Sequence, residues 1–348
     1  EPLTNIGAAR VKRDVGGASY VGAILTDRRS RDAWNTAGGF DFSFWPARST
    51  NLQGFATRTA ASGSGGEATA YRLGIDYNLD RVGFSLGHLF IGPDAMADLG
   101  FITRTDIRRS DAFGRFTPRP NVLGLRKIDL FGFGQLITRT DGVVQDWQLG
   151  PAFSPEWESG DNVTIFTLRG FTRLDEGFAI RESDDPDVEV FVPAGDYGWW
   201  QAGWFANTSG HRPLVLGSNA LLRWTYSGHV HSISGTASLN PNANVALTLG
   251  YTRSLVAVPD GGFGADIGSL RVSYAASTRL VANALVQYNS LDESFSVNAR
   301  INFIHRPGSD LFIVFNEQRD WNGRFGGESV WGLDNRGAVL KLTYLARI

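Results

Sequence analysis

Cysteine is absent from this chain, and so are a long apolar run and a strongly basic charge. Without a thiol there is no disulfide framework, no thiolate metal site and no thiol nucleophile. No run of about 18 apolar residues occurs, so the sequence predicts no transmembrane helix. The formal net charge is only −2, so the strongly basic surface of a nucleic-acid-binding protein is missing, and we expect no nucleic-acid partner.

Two-residue alternation of apolar and polar side chains fills most of the sequence, whereas helical periodicity is nearly absent. Successive side chains on a strand point to opposite faces, so each alternating run predicts a strand with one apolar and one polar face. The clearest run places Phe295, Val297, Ala299, Ile301 and Phe303 on one face and Ser296, Asn298, Arg300 and Asn302 on the other.

Nineteen candidate strands of this kind lie between residues 5 and 347, joined by connections that are alternately short and long. Runs of about 9 to 13 residues suit tilted strands that cross a bilayer. A large soluble β-protein is the alternative, but its exposed face would be richly charged, whereas the polar faces here are mostly Ser, Thr, Asn, Gly and isolated Arg.

We therefore predict that residues 1–348 form one domain, an all-β, closed antiparallel transmembrane β-barrel of about 18 strands (16 to 20). Long loops lie on one side of this barrel and short turns on the other. The apolar face of the run at 295–303 contacts lipid, and the polar side chains between line the interior. Interfacial aromatic girdles are expected at the strand ends, formed by Tyr226, Tyr251, Tyr274, Tyr288, Phe303 and Tyr344.

Several segments resemble a family of bacterial outer-membrane β-barrel domains of unknown function. This family is usually found C-terminal to a domain similar to family 9 carbohydrate-binding modules. The resemblance covers nearly the whole chain, including residues 7–11, 98–106, 192–197 and 286–317. Its most specific part is the stretch Arg306-Pro307-Gly308-Ser309-Asp310-Leu311-Phe312.

The resemblance implies a location in the outer membrane of the Gram-negative cell envelope, with membrane lipid and lipopolysaccharide as surroundings. It also implies that these residues are the C-terminal part of a longer precursor. The odd number of predicted strands means that one strand assignment is wrong or that a strand partner lies upstream of Glu1. The first strand either lies in the lumen or periplasm, closes directly on the last strand near Ala338 to Arg347, or pairs with an upstream segment, and we favour the third arrangement. We expect an N-terminal fragment or a separate partner chain to supply the missing pairing.

Two functions from different classes fit these expectations. The first is a conduit or plugged porin-like pore for small solutes. The second is a membrane anchor or scaffold that holds an N-terminal module or a partner protein, with a carbohydrate-related role among the options. A hydrolase embedded in the barrel is a weaker third reading, and since no catalytic constellation is evident, we expect the chain not to be an enzyme.

Isolated arginines on polar strand faces are the main candidates for functional side chains, because a charge facing lipid at mid-depth costs about 2–4 kcal/mol. They either line a pore that attracts anions or sugars, or form structural pairs with acids such as Asp76 and Asp129. The lumen-facing candidates are Arg72, Arg223, Arg271, Asn298 and Arg300.

Three further groups carry weaker hypotheses. The acidic stretch that contains Asp184, Asp185 and Asp187 is either a solvated loop or a Ca²⁺ site, although its spacing matches no EF-hand. His229 and His231 lack an evident third ligand, so we predict no metal site and no other cofactor. The aromatic pair at 199–200 either packs in a loop or girdle or stacks on a sugar ring.

Overall fold

A computed structural model describes residues 3–63, 65, 68–182, 189–325 and 328–345. All regular structure in these ranges is β-strand, as the alternating pattern predicts. None of the described residues belongs to a helix that is long and apolar enough to cross a membrane.

The strands follow one another closely along the chain. They are β1 (Asn5–Gly16), β2 (Ser19–Arg29), β3 (Trp34–Ala47), β4 (Thr50–Ala61), β5 (Thr69–Asn78), β6 (Val82–Ile91), β7 (Ile107–Phe116), β8 (Leu125–Thr138), β9 (Val144–Trp157), β10 (Asn162–Leu174), β11 (Phe178–Arg181), β12 (Val190–Val192), β13 (Gly195–Asn207), β14 (Leu214–Thr225), β15 (Gly228–Asn242), β16 (Val245–Val258), β17 (Gly261–Ser277), β18 (Leu280–Asn289), β19 (Ser294–Arg306), β20 (Ser309–Phe325) and β21 (Glu328–Thr343).

Nineteen of these strands form a single antiparallel meander. Each pairs with its sequence neighbour, and β10 pairs with β13 across the small separate hairpin of β11 and β12. All nineteen main strands overlap predicted ones, although β20 ends later and β21 begins earlier than predicted. The β11–β12 hairpin is not predicted, because strands of four and three residues are too short to show alternation.

The two faces of the sheet differ sharply, and cross-strand register keeps them separate from strand to strand. Ala299 pairs with Ala284 and Phe315, whereas Asn298 pairs with Leu285 and Asn316. The same register places Phe295, Val297, Ile301 and Phe303 on the face of Ala299, and Ser296, Arg300 and Asn302 on the face of Asn298. The predicted segregation of this strand into an apolar and a polar face is therefore confirmed.

Closure of the sheet into a barrel is not shown. The described strand pairings run from β1 to β21, and none of them joins these two end strands. Both end strands are exposed along their described residues. Because every neighbouring pair is antiparallel and the number of strands is odd, β1 and β21 run in the same direction.

Connections at one edge of the sheet are mostly short, and several at the other edge are long. The longest lie between β6 and β7 and between β10 and β13. The sequence also predicts long polar connections at 259–265 and 319–336, and both of these predictions are wrong. β16 and β17 are joined tightly after Val258, and β20 and β21 extend through most of 319–336, because their residues continue to pair across the two strands.

Candidate functional site

All five predicted lumen-facing residues lie on one face of the sheet, here called the polar face. Arg72 pairs with Phe55 and Leu89, and Arg223 pairs with Gln201 and Val230. Arg271, Asn298 and Arg300 lie on one face by the register of β16–β19. When the register is followed from strand to strand, Arg72 and Arg223 lie on this same face.

The polar face of β1–β9, here called the balanced sector, carries basic and acidic side chains in equal number. Arg10 bonds Asp41 at 2.9 Å, and Lys127 bonds Asp129 at 2.9 Å. Neighbouring opposite charges leave this sector with little net charge. Its charged residues are Arg10, Lys12, Arg28, Arg72, Arg109, Arg115 and Lys127, against Asp14, Asp41, Asp76, Asp111, Asp129, Asp146 and Glu156.

The polar face of β13–β19, here called the acid-free sector, has a different composition. Its charged residues in the described structure are Arg223, Arg271 and Arg300, and no Asp or Glu faces the same way on these strands. Hydroxyl and amide side chains fill most other positions of β15–β19. Members include Ser232, Ser234, Thr236, Thr248, Thr252, Ser269, Ser273, Asn283, Gln287, Ser296 and Asn302.

In the described contacts, Asp76 and Asp129 bond groups other than the candidate arginines Arg72, Arg223, Arg271 and Arg300. Asp76 accepts a hydrogen bond from Gln53 at 2.8 Å. Asp129 bonds Lys127 and Thr117, with Arg115 at 3.7 Å. Strand alternation gives the face of each side chain but not its cross-strand neighbour, so these partners were not readable from the sequence.

Arg223 is held by aromatic and amide neighbours rather than by an acid. Its guanidinium carbon lies 4.4 Å from the Trp199 ring centroid, and its Nε donates to Gln201 Oε1 at 2.7 Å. Trp199 is buried, and its ring covers Gly170, where a Cβ atom would lie 2.1 Å from Trp199 Cζ2. Of the aromatic pair, only Trp200 is exposed, on the opposite face of the sheet.

Arg271 and Arg300 differ from Arg223 in having no hydrogen bond or ion pair in the described part of the chain. Both side chains are exposed. Asn298, which bonds Asn316, is exposed beside them. Two unpaired guanidinium groups on one polar surface are free to bind a ligand.

The connection between β6 and β7 folds back onto the polar face at the edge where the long connections lie. Asn35 donates its side-chain amide to Met96 O at 3.0 Å, and Met96 N donates to Thr59 Oγ1 at 3.1 Å. Arg28 pairs with Asp98 at 2.8 Å. These bonds tie one connection to β2, β3 and β4, so it narrows the space beside the polar face.

The β11–β12 hairpin packs at the same edge of the sheet, beside the turn between β16 and β17. Val190 and Val192 are 3% and 1% exposed. The Phe191 amide donates to Asp260 Oδ2 at 2.9 Å, which ties the hairpin to the β16–β17 turn. Next to it lies a cavity of about 420 Å³, lined by residues that include Tyr197, Tyr226 and Asp260.

Tyr226, in the turn between β14 and β15, is on the wall of this cavity. Tyr226 and Ser227 have φ values of 55° and 59°, which suit the tight hairpin between β14 and β15 but strain side chains other than Gly, Asn or Asp. The ring stacks edge-on against Tyr197 at 5.1 Å. Burial raises the pKa of the Tyr226 hydroxyl.

The remaining candidates are the acidic stretch and the two histidines. Asp184, Asp185 and Asp187 lie outside the described residues. His229 and His231 stack at 4.5 Å on the apolar face, and no cluster of three or more metal-ligating side chains occurs in the described ranges.

Comparison with known proteins gives structural similarities but no sequence match. Neither a family model nor a curated protein matches the chain. The outer membrane transporter YddB from Escherichia coli is similar in structure, with 10% sequence identity and a TM-score of 0.44 over 91% of this chain and 54% of that chain. This chain thus spans about half the length of that transporter. A similarity of this size assigns neither a family nor a function.

Proposed function

We propose that this chain forms the wall of an outer-membrane β-barrel that conducts small solutes past its polar face. The apolar face carries the proposal. Large hydrophobic side chains on it are highly exposed, among them Phe40 at 74%, Leu249 at 58% and Leu149 at 57%. Charged side chains such as Arg169, Arg253 and Glu317 interrupt this face, but exposed hydrophobic side chains recur on it from strand to strand. So much exposed apolar surface on a sheet is unfavourable in water and is the surface expected against lipid.

Aromatic side chains support a membrane location, because they lie near both ends of the apolar face. Trp200, Trp224, Tyr251 and Tyr288 lie towards the edge with the long connections. At the edge with the short turns lie Phe44, Phe84, Tyr274, Phe303 and Tyr344. Two such bands match the interfacial girdles of membrane barrels.

The polar face favours a water-filled lumen over a dry core. Gln287, Asn298, Arg300 and Asn316 are exposed, so the adjacent space is open to solvent along β18–β20. The inward-folded β6–β7 connection narrows the lumen from the balanced sector. Solvent-exposed side chains on β18–β20 and the folded β6–β7 connection fit a conduit that this connection narrows.

The anchor or scaffold is the second candidate, and the unpaired edges of β1 and β21 favour it. Exposed backbone groups do not persist in lipid. A partner segment that pairs with these edges would be held in the membrane by the barrel.

Conductance of the protein in planar bilayers tests the proposal. The chain, folded into lipid with any segment that co-purifies with it, is expected to give discrete conductance steps. Asn35→Ala, which removes the two hydrogen bonds of the Asn35 side chain to Met96 O and the Asp98 amide in the β6–β7 connection, is expected to raise the conductance or its fluctuation. Leu73→Ala, on the apolar face, serves as the matched control. A correctly inserted barrel that conducts nothing would eliminate the conduit and leave the anchor.

A further inference from the structure

We propose that the acid-free sector binds small anionic solutes, with a carboxylate, phosphate or sulfate group held between Arg271 and Arg300. This inference rests on the proposed conduit and specifies the class of solute that it favours. The two arginines are the charges of this sector that lack a protein partner.

Cross-strand register brings the two arginines to the same region. Arg271 pairs with Leu285 on β18, and Leu285 pairs with Asn298 on β19, two residues before Arg300. Two strand spacings and a two-residue offset separate their Cα atoms by about 12 Å. Long arginine side chains that point into the same space from this separation can approach one anion from two sides.

The side chains around the pair suit an oxyanion. Asn283 pairs with Arg300, and Thr248 pairs with Arg271. Together with Asn298 they provide amide and hydroxyl donors without negative charge. Guanidinium groups bind carboxylate and phosphate through paired hydrogen bonds, and neutral donors complete the coordination.

The charge composition of the balanced sector explains why we expect a preference for anions only at the acid-free sector. Its cations lie beside acids, as Arg109 does beside Asp111 at 3.0 Å. At Gly87, an added Cβ atom would lie 3.4 Å from Arg72 Nη2 and 3.8 Å from Asp111 Oδ2, so Arg72 also lies near an acid. A wall with uncompensated positive charge concentrates anions, whereas a balanced wall does not.

Thiol labelling tests the local charge, and the absence of native cysteine makes a single introduced thiol specific. Asn298→Cys lies two residues from Arg300 on β19 and two strand spacings from Arg271, and Ser85→Cys in the balanced sector is the matched control. The probes are an anionic sulfonatoethyl and a cationic trimethylammonioethyl methanethiosulfonate. We expect the anionic-to-cationic rate ratio to be roughly tenfold higher at position 298 than at position 85.

Substitution of both arginines tests whether they cause the higher labelling-rate ratio at position 298. In Arg271→Gln with Arg300→Gln, the ratio at position 298 is expected to fall to that at position 85. Raising the ionic strength should reduce it in the unsubstituted background as well. A high ratio that survives both substitutions would overturn the proposal, as would equal ratios at both positions from the start. Retained strand content by circular dichroism shows that the variants fold.

A second measurement separates this proposal from the conduit. In a potassium chloride gradient, the reversal potential should indicate a preference for chloride, and the double substitution should shift it towards potassium. A cation-preferring or unselective unsubstituted pore would overturn the anion preference while the conduit stands. Labelling needs no current, so an absence of conductance removes the conduit but leaves the labelling result to decide the anion site.

Discussion

At the scale of single residues, the sequence alone determines the face on which each side chain lies but not the group it contacts. Alternation correctly places Arg72, Arg223, Arg271, Asn298 and Arg300 on one face. It does not show that Trp199 and Gln201 hold Arg223, because these contacts depend on the pairing of β13 with β14. Strand pairing is a property of the whole sheet, so such partners require the structure.

Adjacent positions on β19 provide the sharpest test at this scale. Ala299→Arg places a charge on the apolar face, between Ala284 and Phe315, where lipid contact makes it cost about 2–4 kcal/mol. We expect this variant to fail in assembly. Asn298→Arg adds a charge to the polar face and should assemble normally, and heat-dependent gel mobility after folding into lipid checks both. Equal assembly of the two variants would contradict the assignment of faces.

At the scale of strands and connections, long alternating runs were predictable and short or folded-back segments were not. Each main-sheet strand repeats its pattern over ten residues or more. The β11–β12 hairpin and the inward course of the β6–β7 connection depend on contacts such as that of Phe191 with Asp260 and that of Arg28 with Asp98. The polar composition of a loop does not predict which part of the sheet the loop contacts.

At the short-turn edge, the carboxyl group of Asp161 accepts hydrogen bonds that should shift its titration measurably. Asp161, between β9 and β10, accepts hydrogen bonds from Ser159 Oγ at 2.7 Å and the Ser209 amide at 2.8 Å, and it pairs with Arg212 at 2.7 Å. These hydrogen bonds, with the guanidinium charge, hold the pKa of the Asp161 carboxyl below its usual value.

Acid should therefore release the β13–β14 connection from Asp161. A depressed carboxyl pKa contributes stability that is present above the unfolded value of about 3.9 and is lost as the pH falls through the folded value. We expect hydrogen exchange at the Ser209 amide, corrected for intrinsic rates, to accelerate on acidification below about pH 4. Asp161→Asn should remove this pH dependence, and the same acceleration in that variant would show that Asp161 is not its cause.

At the scale of the whole molecule, the sequence predicts one antiparallel sheet, which the structure shows, and closure of that sheet, which the described pairings do not show. The number of strands in the sheet is odd, and β1 and β21 run in the same direction. One further strand can pair antiparallel with both edges, whereas direct closure requires a parallel pair. Bacterial single-chain barrels have an even number of strands. The strand directions therefore favour one more strand from outside the described residues.

Mass spectrometry of the membrane-assembled protein under denaturing conditions tests this expectation. We predict a polypeptide segment in addition to residues 1–348, either continuous with them in a longer chain or as a separate species. A single species of 37.9 kDa, in a barrel where β1 pairs directly with β21, would contradict it.

A membrane-spanning sheet has lipid on one face and water on the other. Spin labels at successive positions from 295 to 303, in protein folded into vesicles, measure this directly by their accessibility to oxygen and to a water-soluble nickel complex. We predict a period of two, with oxygen favoured at 295, 297, 299, 301 and 303 and nickel favoured at the positions between. Nickel access at all nine positions would contradict a membrane-spanning sheet.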